Sequence, residues 1–97
     1  MSYANLVQQD MRLSILLVLE QDAGYSQNEH LLRRILGQVG HEMGFDRLRT
    51  ELAWLQEQGL VTLAKHGDLQ IVKLTNRGED VALGRSTVPG VQRPRPQ

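Results

Sequence analysis

At 97 residues, 40% of them apolar, the chain supports one domain around one core and not two. Eleven basic side chains balance eleven acidic ones, so a net basic surface that coats nucleic acid without selection is excluded, while a local basic patch is not. The absence of cysteine rules out a disulfide framework and a thiolate metal site, and the presence of only four aromatic residues makes the core mainly aliphatic.

Leu6, Val7, Met11, Leu13, Leu16 and Leu17 approximate helical spacing, which predicts a first helix over about Asn5 to Gln21. From Ile15 to Leu19 it is apolar on every side, and such a helix is buried on every side. In so small a domain one of those sides is expected to face a second subunit, which assigns Leu13, Ile15, Leu16, Val18 and Leu19 to a homodimer contact. The same run is far too short to cross a bilayer, and the N-terminus lacks the basic flank and cleavage site of a secretion signal. Membrane attachment is therefore not expected, and a cytoplasmic location is. Asp22, Ala23 and Gly24 break the helix.

Ser26-Gln27-Asn28-Glu29 has the form of a capping box, with Ser26 accepting from the Glu29 amide, and Tyr25 against His30 or Leu31 offers a hydrophobic staple. Leu31, Leu32, Ile35 and Leu36 then predict a second helix over about Gln27 to Gln38. Gly37, Gly40 and Gly44 mark a turn. Phe45, Leu48, Leu52 and Leu55 share one face of a third helix over about Phe45 to Gln58, with Asp46 favourably placed in its first turn and Gly59 as its stop. Leu60 to Leu63 and Leu69 to Leu74 read as strands of a hairpin turning at His66-Gly67-Asp68. Thr75 caps a last helix, about Asn76 to Gly84, with Glu79 and Asp80 in its first turns. Residues 86–97, with three prolines and no periodicity, are expected to be a disordered or extended tail outside a domain of residues 1–85.

The order helix, helix, turn, helix, hairpin, helix is mostly α with a small β-hairpin: a winged helix-turn-helix. Its predicted core is Leu16, Leu32, Ile35, Leu48, Leu52, Leu55 and the inner side of the hairpin.

The run from Arg47 to Val61, with Arg49-Thr50-Glu51-Leu52-Ala53-Trp54-Leu55 at its centre, resembles the recognition-helix segment of bacterial winged-helix regulators. Leu74 to Gly84 is similar to their wing exit and last helix. Together with the Val88-Pro89-Gly90-Val91 tail, the chain resembles small proteins of Mu-like prophages related to arsenic-repressor-type regulators. That resemblance implies the fold and a phage origin. It does not carry metal sensing, which in that group commonly uses cysteine.

A recognition helix reads base edges from its exposed face near its N-terminus, where Arg47, Arg49 and Thr50 fall. Arg33 and Arg34 on the second helix and Lys65, His66 and Lys73 of the hairpin are candidate phosphate contacts. Glu51 and Trp54 are expected on the same outward face. The expected partner is double-stranded DNA, bound by a homodimer. The competing reading is a protein-interaction module, with the acidic residues of the third helix repelling phosphate and Trp54 as a buried anchor against a protein partner. His30, His41 and His66 lack the spacing of a metal site, and no catalytic set or cofactor loop is evident, so neither metal, cofactor nor catalysis is expected.

Overall fold

The computed structural model describes residues 2–95. Helix α1 (Tyr3–Gln21) begins where the Ser2 hydroxyl accepts from the Asn5 amide. A short strand β1 (Ser26–Asn28) leads into α2 (Glu29–Gln38), and α3 (Phe45–Glu57) completes the helix-turn-helix. Strands β2 (Val61–His66) and β3 (Leu69–Leu74) form the wing, and α4 (Asn76–Ala82) closes the order. Thr75 caps α4 by accepting from the Gly78 amide, as its position before an acidic turn predicts. Gly59 ends α3 with a left-handed φ of 77°, a conformation that costs glycine nothing.

The sheet has three antiparallel strands in the order β1-β3-β2, one more than the expected hairpin. Ser26 pairs with Lys73 and Asn28 with Ile71, so the segment read as a capping box is partly strand. The helix cap is Asn28, whose side-chain oxygen accepts from the Leu31 amide at 2.9 Å. The ladder with β3 holds Ser26 two residues too early to cap α2, and Glu29 turns inward instead of back.

The core gathers Leu16, Leu32, Leu48, Leu52 and Leu55 as expected, with Leu36, Leu60, Val61, Val72 and Val81. Ile35 is only partly buried. Two expectations fail. Leu13, Ile15, Leu16 and Leu19 are already buried inside the single chain, where α2, α4 and β3 pack around α1, so they offer no surface to a second copy. Of that set only Val18 keeps appreciable exposure.

The tail is the second. It folds back over the helices instead of leaving them: Val88 and Val91 are buried, and the Gln92 amide donates to the Gln9 carbonyl of α1 at 3.1 Å. Two valines bracketing Pro89-Gly90 are enough apolar surface to dock a short strap. The domain therefore extends beyond residue 85, and residues 96 and 97 lie outside the described part. No helix among the described residues is long and apolar enough to cross a membrane.

Candidate nucleic-acid interface

The exposed side of α3 carries Asp46, Arg47, Arg49, Thr50 and Ala53. Leu48, Leu52 and Leu55 point the other way, and that period places the arginines outward. Thr50 donates its hydroxyl to the Asp46 carbonyl at 2.9 Å. Each arginine is tied to a carboxylate. Arg49 donates from Nε and Nη2 to both oxygens of Glu29, at 3.0 and 2.7 Å, across the α2–α3 contact. The Arg49 side chain is 53% exposed, that of Glu29 only 1%. Arg47 donates from Nε to Glu51 at 3.1 Å and is also about half exposed.

Glu51 departs from the outward position expected of it. It lies on the core side, between Leu48 and Leu55 in the helical repeat, and is buried. Its carboxylate is met there by Gln8 Nε2 at 3.0 Å and Arg12 Nε at 2.7 Å, both from α1, besides Arg47. Arg12 also lies over the Trp54 ring, 3.7 Å from its centre, and donates to the Gly90 carbonyl at 3.1 Å. Trp54 is thus partly buried beneath Arg12 and the C-terminal strap, not presented on the outward face.

Both carboxyls are held below the ordinary glutamate value. For Glu29 the hydrogen bonds from Arg49 outweigh the opposing effect of burial. For Glu51 burial is the largest single influence and pushes upward, but the hydrogen bonds from Gln8, Arg12 and Arg47 and the Arg12 charge together prevail.

Around Phe45, at the start of α3, basic side chains converge. Arg33 and Arg49 lie over its ring at 4.5 and 5.4 Å, and His30 meets it edge-on at 4.7 Å. Arg33 also donates to the Met43 carbonyl at 3.3 Å, which bridges α2 to the turn before α3. Arg34 is exposed beside it, on a groove with Gly37, Gln38 and Glu42.

The wing residues divide. In the β2–β3 register Lys65 faces Gln70 and shares its side of the sheet with Val61 and Leu63, toward the helices. Lys65 accordingly lines a small cleft with Glu29, Arg49, Asp68 and Gln70. His66, opposite Leu69, and Lys73, opposite Thr62, lie on the other face. Lys73 also sits at the far end of the strand, beside Tyr25, Thr75 and Glu79. The two-residue period separates it from Lys65. Of the candidate set, Arg33, Arg49 and Lys65 come together around the α2–α3–wing junction, with Thr50 one residue beyond Arg49 on α3. Arg47 stands on the opposite flank of α3, and Lys73 is remote from the wing tip. The buried partners Glu29 and Arg12 were not among the candidates. Glu29 stood out only as the acid of the expected capping box, and Arg12 only as the one basic residue of α1.

No family model matches the chain. It is 42% identical over 93 residues to the uncharacterized protein gp26 of Escherichia phage Mu, an alignment that covers 96% of each. It is 41% identical over 78 residues to an uncharacterized protein of Haemophilus influenzae, covering 79% of this chain and 76% of the relative. Among solved structures, a chain of the hsRosR-S1 complex superposes with a TM-score of 0.68 at 25% identity, over 80% of this chain and 69% of that one. The winged-helix fold is common to both.

Proposed function

The chain belongs to the family of phage Mu gp26, and on that premise we propose that it is a sequence-specific DNA-binding regulator of phage or prophage transcription, not an enzyme. It acts as a homodimer with α3 in the major groove. The observation that carries this reading is the pair Arg47 and Arg49. Both stand half exposed in the first two turns of the second helix of the helix-turn-helix, with the outer ends of their guanidinium groups unspent among the described residues. Arginine in that position makes paired hydrogen bonds to guanine. Thr50 stands beside them, and Lys65 of the wing, Arg33 and Arg34 supply charge for phosphate. The winged-helix fold shared with the hsRosR-S1 chain supports this reading, because that fold presents a helix to the major groove. Kinship with arsenic-repressor-type regulators fits this function, but their cysteine-based sensing does not, since the chain has no cysteine.

The dimer contact is reassigned. The apolar side chains that α1 leaves exposed or half-buried include Tyr3, Leu6, Leu17 and Val18, with Val39 beyond α2 adjoining Leu17 and Val18. Two copies joined there by a two-fold would present their α3 helices to one face of a duplex, with half-sites ~34–36 Å apart. Sedimentation at micromolar concentration should give twice the 11.0 kDa chain mass.

Selection from a random duplex pool tests the function. The wild type should enrich a rough palindrome, and Arg47→Ala with Arg49→Ala should abolish the enrichment in a protein that is still folded by circular dichroism but less stable, because buried Glu29 loses its arginine. Enrichment of nothing by the wild type would favour the protein-interaction reading. That reading has lost its proposed anchor, because Trp54 is covered by Arg12 and Gly90.

A further inference from the structure

We propose that Glu29 is a positioning residue for recognition: it holds Arg49 so that the end-on edge of the guanidinium is aimed at a base edge. The inference rests on the DNA-binding reading and deepens it. An arginine has two edges that can each donate a parallel pair of hydrogen bonds. The side-on edge carries Nε–H and one N–H of Nη2. The end-on edge carries one N–H from each of Nη1 and Nη2. Glu29 occupies the side-on edge completely, with one oxygen on Nε at 3.0 Å and the other on Nη2 at 2.7 Å. The end-on edge makes no hydrogen bond among the described residues and belongs to a half-exposed side chain. What it matches is an acceptor pair in one plane, such as O6 and N7 of guanine.

Glu29 is suited to hold the arginine still. It is the first residue of α2, fixed by the Asn28 cap at the helix N-terminus, where a negative charge is favoured. It is buried and stays ionised through the Arg49 hydrogen bonds. Phe45 floors the guanidinium from the other side. A free arginine on a helix surface must give up its rotamer freedom on binding, whereas one clamped in this way has already done so. An acid placed only to join α2 to α3 would serve as well with a buried partner. Here the partner's remaining donors face solvent on the reading helix.

The test has one arm in the free protein and one with DNA. In the isotope-labelled wild type, the Arg49 Nε–H should be as ordered as the backbone on the nanosecond scale. That of Arg34, which has no ion-pair partner among the described residues, should be mobile. Glu29→Gln should release Arg49. With the duplex the wild type selects, Glu29→Gln should lower the preference over a scrambled duplex by about tenfold. The salt dependence should not change, because no phosphate contact is lost. In an Arg49→Ala background Glu29→Gln should change the preference no further. An Arg49 Nε–H as mobile as that of Arg34 in the wild type would overturn the inference, even if Glu29→Gln failed to fold. So would full preference retained by a folded Glu29→Gln. In both cases DNA binding itself would stand. A wild type that selects no sequence, with Arg49 nonetheless ordered, would overturn the DNA-binding reading and the recognition role with it.

Discussion

The two flanks of α3 each bury a glutamate beneath an exposed arginine, and they do so for different ends. On the α1 flank, Glu51 is the centre of a network that draws Gln8 and Arg12 from α1, Arg47 from α3 and, through Arg12, the Gly90 carbonyl and the Trp54 ring. Arg12 is itself nearly buried. On the wing flank, Glu29 is hydrogen-bonded by a single side chain among the described residues, Arg49, and that one is half in water. The first glutamate joins three segments of the chain and the second orients one surface group. Burial alone does not distinguish them; the exposure of their partners does. A change at Glu51 is therefore expected to act on the fold, and a change at Glu29 on recognition.

The largest effect should come from Glu51→Ala. It strands Arg12 in a nearly closed site, and leaving one member of a buried pair alone costs about 3–5 kcal/mol. Urea unfolding should show that loss, whereas Glu29→Gln should give a clearly smaller one. Equal losses would erase the distinction between the flanks.

Acid should act on both flanks together. Each glutamate is held below its ordinary value in the folded protein, so its contribution is present above the unfolded value of about 4.5 and is lost as pH falls through the lower folded value. Thermal stability should thus decline below about pH 4.5. The decline should be shallower in Glu29→Gln, which has one such group fewer. An unchanged acid profile in that variant would mean that Glu29 is not ionised as described.

The strap belongs to the Glu51 side of the comparison. Gly90 has φ of 98°, and an added Cβ would come within 3.0 Å of Arg12 Nη1 and the Trp54 ring. Gly90→Ala should cost about 1–3 kcal/mol through backbone strain and crowding. It should also raise Trp54 fluorescence quenching by solute quenchers, while leaving Arg49 order unchanged. The smallest effect belongs to the other side. Asn28→Ala should cost about 1 kcal/mol of stability by uncapping α2, and Ser26→Ala should cost less. The reverse order would restore Ser26 as the cap.

Most of the fold was legible because it lies in local periodicity. Leu48, Leu52 and Leu55 mark the buried face of α3, and the hairpin announces itself by two β-rich runs around His66-Gly67-Asp68. What was missed depends on distant partners. Ser26-Gln27-Asn28 is polar, short and without alternation, and only the position of β3 makes it a strand. Ser26 followed by Glu29 was the stronger local capping signal, and the strand pairing overrode it. The apolar run of α1 suggested a second subunit, but α2, α4 and β3 supply its surroundings within one chain. In the tail, proline and arginine concealed two valines that dock.

The candidate site divides in the same way. That Arg47, Arg49 and Thr50 face outward follows from the α3 period. That Arg49 rests on Glu29, 20 residues earlier, and that Glu51 takes Arg12, 39 residues earlier, are long-range pairings with no trace in spacing.

The central claim, that the outward face of α3 meets DNA, is tested most directly by titrating the isotope-labelled chain with duplex DNA at low salt and mapping the shifted resonances. The account predicts that the largest shifts fall on Arg47, Arg49 and Thr50 and on Lys65 of the wing, with α1 and the strap little affected. Shifts confined to the outer strip of α1 and Val39, or none at all up to millimolar duplex, would contradict it.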